Sequence, residues 1–412
     1  PACDTGAMAL AIVPLDPRGI SALSVAHIFN DMSQSAIPAI LPFLILHQGL
    51  SLASAATLIL GMNLSSSVVQ PLFGYWSDRR SLTWVIPASM VVGALGTASI
   101  GLMHSFGAMF AAAVVAGIGV AAFHPESSRY ANYVSGSRRA TGMAWFTLGG
   151  YGGFALGPLL VTPLLLAFGL PGTIYLAIPG IVVAIAIAFE LPRLRTFRRF
   201  DLRRQSNAVC LHDRWRPFGI LTAVVSLRST AFFGAVTFLP LFFINVLHAT
   251  AAQGNAALTT MLLCGAIGTL VGGRLADHYE RRGVIAFSIA SVAAFASILA
   301  VAGGMQLDRS LVLAIAGLFG FGISLSASVL VVLGQEYLPN RIGVASGVTL
   351  GLAVSVGGIA APLFGLLGDH YGLVAVFYAI ASIAVLSFIS ALFLPSSRPT
   401  ARARDAEEVS AA

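Results

Sequence analysis

The sequence predicts an all-α membrane protein of twelve transmembrane helices arranged in two six-helix halves. Three observations predict this fold. Hydrophobic residues make up 57% of the 412-residue chain, whereas charged residues make up only 9%. Apolar stretches of about 20 residues, the length that an α-helix needs to cross a bilayer, recur along nearly the whole chain. Landmarks of the first six stretches also return in the last six.

The twelve predicted spans leave room for only short connections. They lie near residues 20–46, 54–76, 82–103, 106–130, 140–168, 171–189, 216–247, 253–276, 283–304, 310–337, 342–368 and 371–394. The domain organisation that follows is a tail at 1–19, a six-helix half at 20–189, an arginine-rich linker at 190–215, a second half at 216–395 and a tail at 396–412.

The distribution of charge predicts the orientation in the lipid bilayer. All 23 basic residues other than histidine are arginines. If both termini are cytoplasmic, the tails, the linker and the short inner loops contain most of them, and only Arg309 falls in an outer loop. This asymmetry follows the positive-inside rule. The net charge of +7 therefore indicates topology and does not indicate a nucleic-acid partner.

The two halves align on residues spaced about 200 positions apart. The matched pairs are LPFL at 41–44 with LPLF at 239–242, Asp78 with Asp277, Arg138 with Arg341, and Gly153 with Gly357. Two such repeats are typical of secondary transporters, in which the substrate site lies near the midplane between the halves. The layout resembles that of the major facilitator superfamily, and this resemblance implies the major facilitator fold.

Two short motifs add to the resemblance. GYWSDRR, with Asp78 and Arg79, is similar to the superfamily's signature loop between its second and third helices. By resemblance, and because the second half carries a copy, we expect gates formed by Asp78, Arg79, Asp277, Arg281, Arg138 and Arg341. The alternative is that these residues are topology anchors and turn residues.

The stretch GGYGGFALGPLL in the fifth span places Gly153, Gly157 and Pro158 at a spacing that resembles a motif associated with export in the superfamily. Small residues also let helices approach closely, and proline bends a helix. Tight packing is therefore the alternative explanation for this stretch.

Longer strings resemble the fosmidomycin-resistance branch of the superfamily. They are HIFNDMSQSAIPAILPFL from residue 27 and GVAAFHPESSRYANYVSGSRRATGMAWFTLGGYGGFALGPLL from residue 119. The resemblance implies a proton-driven exporter of a small anionic compound such as fosmidomycin. It also implies a monomer in the bacterial inner membrane that is not an enzyme and needs no cofactor beyond the proton gradient.

Asp31 is the strongest candidate for proton coupling. It lies about eleven residues into the first span, roughly 16 Å deep at 1.5 Å per residue and so close to the midplane. His27, Asn30 and Gln34 share its helix face. Because a charge in the membrane interior is costly, we expect Asp31 to take part in proton coupling with His27, or to contact substrate together with Asn30 and Gln34. The alternative for His27 is a position nearer the cytoplasmic interface without a direct role. The alternative is that Asp31 joins helices by hydrogen bonds.

Two further polar groups fall inside predicted spans. Glu126 in FHPESSR could take part in proton coupling with His124, or could form a static pair with Arg129 that fixes the helix end. Arg228 takes the place of Asn30 in the second half, and its guanidinium suits an anionic substrate. The alternative is that Arg228 is a structural partner of Asp31.

Other classes of protein remain as alternatives. A proton-coupled uptake carrier for an organic anion would share nearly all of these features. An intramembrane enzyme would need a nucleophile with a base, or a metal cluster, and His27, His124 and His248 look too scattered along the chain to ligate a metal. A channel is disfavoured by the two-fold repeat and the central charges.

Overall fold

The computed structural model describes residues 14–79, 82–136, 139–201, 213–305, 307–338, 345, 348–349 and 353–396. These residues contain α-helices, two short 3₁₀ segments at 100–102 and 170–176, and no strand. The helices are α1 (Pro17–Gln48), α2 (Leu52–Arg79), α3 (Val85–Ser99), α4 (Phe106–Val134), α5 (Arg139–Phe168), α6 (Ala177–Asp201), α7 (Trp215–Asn245), α8 (Ala251–His278), α9 (Arg281–Met305), α10 (Arg309–Leu325), α11 (Ala327–Tyr337), α12 (Ala353–Tyr371) and α13 (Leu373–Leu392).

The all-α prediction is confirmed. Ten stretches in the described residues are long and apolar enough to cross a membrane, and one of them contains both α10 and α11, which are separated only at Ser326. The helices α1 and α12 complete the twelve predicted spans. Polar residues in the middle of α1 lower its average hydropathy. The sixth helix runs on to Asp201, so the first part of the predicted linker is helical.

Local sequence signals explain where α1 begins and ends. The Asp16 side chain accepts a hydrogen bond from the backbone N–H of Gly19, and Pro17 occupies the first turn, where a missing N–H costs nothing. At the other end Gly49 adopts a left-handed backbone with φ of 66°, which is easy for glycine. The helix is therefore capped at both ends and carries its polar segment between them.

Ion pairs near the linker fix one face of the bundle, which we call the linker face because α6 ends there and α7 begins there. Arg18 pairs with Glu190, and Arg193 Nη2 lies 2.5 Å from Asp16 Oδ1, so the start of α1 is held against the end of α6. The opposite side, where α1 ends and α2 begins, is called the distal face.

The two halves, α1–α6 and α7–α13, meet through α2 against α12 and α5 against α8. Near the distal face Asp369 accepts hydrogen bonds from the backbone N–H groups of Leu52 and Ala53, at 2.9 and 3.0 Å. An added Cβ on Gly365 would lie 2.5 Å from the Ala53 Cα, so α2 and α12 nearly touch. These contacts close the distal side of the interface between the halves.

A second contact between the halves involves α8. The Asn255 amide donates to the Ala39 carbonyl at 3.0 Å and to Thr162 Oγ1 at 2.8 Å. Asn255 is only 1% exposed. One side chain of the second half therefore bridges α1 and α5 of the first half, also toward the distal face.

The structure describes four of the six predicted gate residues, and all four lie at helix ends. Asp78 and Arg79 belong to the last turn of α2, and Asp277 belongs to the last turn of α8. Arg281 starts α9 and pairs with Glu336 of α11, within the second half. Arg138 and Arg341 lie outside the described residues. The gate assignment as a whole stays a prediction.

Candidate functional site

The centre of the site is a buried carboxylate between two histidines. Asp31 of α1 is only 5% exposed. Its Oδ2 lies 3.2 Å from His27 Nε2 on the same helix, and its Oδ1 lies 3.3 Å from His124 Nε2 on α4. We call these three residues the Asp31 cluster. The expectation that the histidines are scattered is therefore wrong for two of the three, because packing of α4 against α1 brings His124 to Asp31.

Hydrogen bonds to backbone carbonyls fix both imidazole rings. His27 Nδ1 lies 2.8 Å from the Phe146 carbonyl oxygen, and His124 Nδ1 lies 2.7 Å from the Val120 carbonyl oxygen. Because a carbonyl oxygen only accepts, each Nδ1 must carry the hydrogen. In a neutral ring the Nε2 lone pair would then face the acceptor-only carboxylate. Each Nε2···O contact is therefore attractive only when a proton or a metal ion lies between the two atoms.

The fifth helix covers the Asp31 cluster with glycines. A Cβ added to Gly150 would lie 2.8 Å from His27 Nε2 and 3.0 Å from Asp31 Oδ2, and one added to Gly153 would lie 2.2 Å from the Ile28 carbonyl oxygen. Phe146 of the same helix stacks on the His27 ring with centroids 4.2 Å apart. Close approach of α5 to α1 therefore depends on these glycines.

The predicted export motif belongs to the same contact. Gly157 faces Ser35 of α1, since an added Cβ would lie 2.1 Å from Ser35 Oγ. Ser35 also donates a hydrogen bond to the Gly153 carbonyl at 3.2 Å. Pro158 lies inside α5, which continues unbroken to Phe168. These contacts give the three motif residues a packing role, while their association with export stays a prediction.

Amide side chains extend the polar face of α1 toward the second half. The Asn30 amide donates to Asp31 Oδ1 at 3.0 Å. Gln34 Nε2 lies 3.5 Å from Asn63 Oδ1 on α2. Among the described residues, Asn30 Oδ1 and Asn63 Nδ2 are buried atoms without a hydrogen-bond partner. An added Cβ on Gly358 of α12 would lie 2.6 Å from the Asn63 Cβ, so this amide sits at the interface between the halves.

Arg228 occupies the matching place in the second half, on α7. Its Nε donates a hydrogen bond to the Ile323 carbonyl in the last turn of α10 at 2.8 Å. The Tyr151 hydroxyl of α5 is near enough to interact electrostatically with the guanidinium. Within the described residues Arg228 makes no ion pair with Asp31, so the alternative that the two neutralise each other is wrong for this conformation.

Glu126 belongs to a different place from Asp31. It is only 2% exposed, and its carboxylate accepts a hydrogen bond at 3.1 Å from the backbone N–H of Leu82, just before α3. Arg129 Nη1 lies 3.7 Å from its other oxygen. Of the two roles that the sequence left open for Glu126, these contacts favour the static one at a helix end.

Sequence reasoning missed several residues that the structure brings to the site or to the interface between the halves. They are Asn63, Gly150, Tyr151, Asn255 and Asp369. A buried asparagine in an apolar span was a readable signal for Asn63 and Asn255. His248, in contrast, lies on the distal face, where its carbonyl accepts a hydrogen bond from Arg309.

Two helical halves with a buried charged cluster inside the first and buried amides at their interface fit the organisation of secondary transporters. The family model described as Major Facilitator Superfamily matches residues 23–362. The chain belongs to this family, whose members are transporters.

Two curated relatives match over nearly the full length. The fosmidomycin resistance protein of Escherichia coli strain K12 is 31% identical over 384 residues, which cover 92% of this chain and 93% of the relative. The uncharacterized MFS-type transporter YfnC of Bacillus subtilis strain 168 is 30% identical, and the match covers 91% of this chain and 92% of YfnC.

Solved structures support the same fold. The xylose transporter XylE from E. coli, in a partially occluded inward-open conformation, superposes with a TM-score of 0.71 at 13% identity, covering 92% of this chain and 98% of XylE. The nucleoside transporter NupG superposes with a TM-score of 0.73 at 13% identity, covering 91% and 99%. At this level of identity the likeness shows the fold alone.

Proposed function

We propose that this protein is a proton-coupled antiporter that exports a small anionic compound, fosmidomycin or a similar molecule, by alternating access. The support for the substrate is the 31% identity to a fosmidomycin resistance protein together with the buried guanidinium of Arg228, which makes no ion pair with any described residue. The chain then lies in a bacterial inner membrane with both termini, and hence the linker face, in the cytoplasm.

The observation that carries the proton coupling is the Asp31 cluster. Each imidazole commits its Nδ1–H to a backbone carbonyl and aims Nε2 at the carboxylate. A proton on Nε2 turns a repulsive contact between two acceptors into a charge-assisted hydrogen bond. Loading and release of protons therefore changes the interactions between α1 and α4 at the depth where the halves meet.

The anion site lies beside the cluster, between the halves. Arg228 donates Nε–H to the Ile323 carbonyl, and among the described residues no ion pair engages its terminal nitrogens, which suit a carboxylate or phosphonate. Tyr151 and the amides of Gln34 and Asn63 supply neutral donors from the first half. Because the ligands come from both halves, a bound anion favours the conformation in which the halves close around it.

The contacts of Asp369 and Asn255 place this structure in the conformation that is closed at the distal face. Under the proposal the anion enters from the linker face and binds Arg228. The halves then rock, the distal contacts break, and the gates at Asp78 and Asp277 close the linker face. Proton entry from outside to the Asp31 cluster drives the return.

The test uses purified full-length protein in proteoliposomes with an imposed pH gradient and fosmidomycin as substrate. Wild-type protein should show proton flux that depends on fosmidomycin, and Asp31→Asn should lack it. Asp308→Asn is the matched control, because Asp308 caps α10 in a connection far from the cluster and asparagine caps a helix equally well. This control should keep the wild-type flux.

Each outcome has a defined meaning. Normal coupled flux in Asp31→Asn would refute Asp31 as the proton carrier and would send the search to Glu126. Fosmidomycin movement in the same direction as protons would indicate the uptake carrier that the sequence left as an alternative. No response to fosmidomycin would refute the substrate assignment, and other organic anions would be tested next.

A further inference from the structure

We propose that His27, Asp31 and His124 form a binding site for a divalent transition-metal ion of the Zn²⁺ class. One ligating atom from each residue can be chosen so that all three lie within 4.8 Å of one another. Two imidazole nitrogens and one carboxylate are the ligand types that Zn²⁺ uses in catalytic sites with an open fourth position. The inference concerns metal binding and stands apart from proton coupling.

The hydrogen bonds made by Nδ1 of the two histidines are those expected of metal ligands. A histidine that ligates a metal usually donates its other ring N–H to a carbonyl or carboxylate, which fixes the tautomer and aims the lone pair. Both histidines have this arrangement already, through the carbonyls of Phe146 and Val120. The metal would therefore meet two lone pairs that are held in place before it arrives.

The spacing of the ligands also fits a metal. In a tetrahedral Zn²⁺ site with bonds of about 2.0–2.1 Å, neighbouring ligand atoms lie about 3.3 Å apart. In the Asp31 cluster His27 Nε2 lies 3.2 Å from Oδ2 and His124 Nε2 lies 3.3 Å from Oδ1, so each imidazole has this spacing to one of the two carboxylate oxygens. One ligating atom from each residue can be chosen within 4.8 Å of the others, so the side chains would have to turn toward one another to bind a single ion.

The charge of the cluster also favours a bound cation. With neutral histidines the cluster carries only the negative charge of Asp31. A bound divalent cation would therefore change its net charge from −1 to +1. Gly150 lets the α5 backbone cover one side of the cluster closely, since a Cβ there would lie within 3.0 Å of both His27 and Asp31.

An effect of Zn²⁺ on transport is also expected, and this expectation depends on the proposed function. If Asp31 carries the transported proton, a bound Zn²⁺ occupies the same carboxylate and both imidazoles, so micromolar Zn²⁺ should inhibit coupled flux. Metal binding itself needs no transport, and the two claims can therefore fail separately.

The experiment titrates tag-free, full-length protein in detergent with Zn²⁺ by calorimetry and with Co²⁺ by visible absorption. One ion per chain should bind, and Co²⁺ should give the intense bands of a tetrahedral site. His124→Gln and His27→Gln should each weaken binding at least tenfold, because each removes one ligand. His370→Gln and His47→Gln, which change exposed histidines at helix ends, are the matched controls and should bind like the wild type.

A second measurement needs no variant. X-ray absorption of the Zn²⁺-loaded wild-type protein should show two imidazole nitrogens and an oxygen at about 2.0–2.1 Å. The proposal is overturned if wild-type protein binds no Zn²⁺, if His124→Gln binds as tightly as the wild type while remaining folded, or if the absorption spectrum shows only oxygen ligands. Metal binding without fosmidomycin-dependent flux would refute the assignment of fosmidomycin as substrate and leave the metal site standing.

Discussion

Removal of the Asp369 carboxylate should shift the protein away from the conformation closed at the distal face. The carboxylate accepts the first two backbone N–H groups of α2, which have no partner within that helix. It also places a negative charge at the positive end of the helix dipole. These interactions join the two halves, so they are lost when the halves separate at this face.

The expected size of the effect follows from the two hydrogen bonds. Hydrogen bonds to a charged group contribute about 1.5–3 kcal/mol each when buried. Asp369 is exposed, and water replaces part of that interaction, so the net difference between the two conformations is about 1–2 kcal/mol. Asp369→Ala should therefore lower the ratio of distal-closed to distal-open protein roughly 5- to 30-fold. Asp369→Asn keeps one acceptor oxygen and should fall between Ala and the wild type.

The measurement is the distance distribution between spin labels on the two halves. Suitable sites are His104, before α4, and Met305, at the end of α9, because both are exposed near the distal face. The native cysteines are first replaced. The alanine variant should populate a longer distance that the wild type populates little. Asp308→Asn serves as the control and should keep the wild-type distribution.

The reasoning is refuted if Asp369→Ala leaves the distribution unchanged while a substrate analogue or a pH change still shifts it. That result would mean that the close packing of α2 against α12 holds the distal face shut by itself. A longer distance in the asparagine variant than in the alanine variant would also contradict the argument, because it would reverse the order of retained hydrogen bonds.

Three further predictions concern packing, substrate binding and the other contact between the halves. Gly157→Val places a side chain against Ser35 and should destabilise the protein by about 1–3 kcal/mol in detergent unfolding, whereas Gly283→Ala, which meets nothing within 4 Å, should not. Arg228→Lys keeps the charge but loses the planar fork, and the apparent KM for fosmidomycin should rise about tenfold with little change in expression; an unchanged KM would exclude direct contact. Asn255→Ala removes two buried hydrogen bonds and should weaken distal closure by about 1–3 kcal/mol, read from the same spin labels.

Much of the fold follows from local properties of the sequence. A helix that crosses a bilayer must be long and apolar, because its backbone satisfies its own hydrogen bonds and its side chains meet lipid. The predicted spans therefore correspond to helices along the chain. One exception is α6, which runs past its predicted end because arginines continue a helix readily once lipid no longer limits its length.

The candidate site could be predicted in part. His27 and Asp31 are four residues apart, and the helical repeat alone puts them on one face. The sequence predicts a functional role for Asp31 because a charged residue in an apolar span is costly to bury. The same reasoning found Arg228, but it could not tell which neighbours these groups would have. The pairing of Arg228 with Asp31 looked reasonable from the repeat, yet each residue has other partners within its own half.

By itself the sequence determined the all-α class, the apolar spans and the helix face that Asp31 shares with His27, since each depends on residues a few turns apart. The two-fold repeat was predicted from matching residues about 200 positions apart. Only the tertiary structure decided that His124 completes the cluster, that Gly150 lets α5 pack against it, and that Asp369 joins the halves. These contacts link residues on different helices, separated by about 90 to 320 positions in the chain. Their physical cause is the packing of whole helices, which the periodicity of any single segment does not contain.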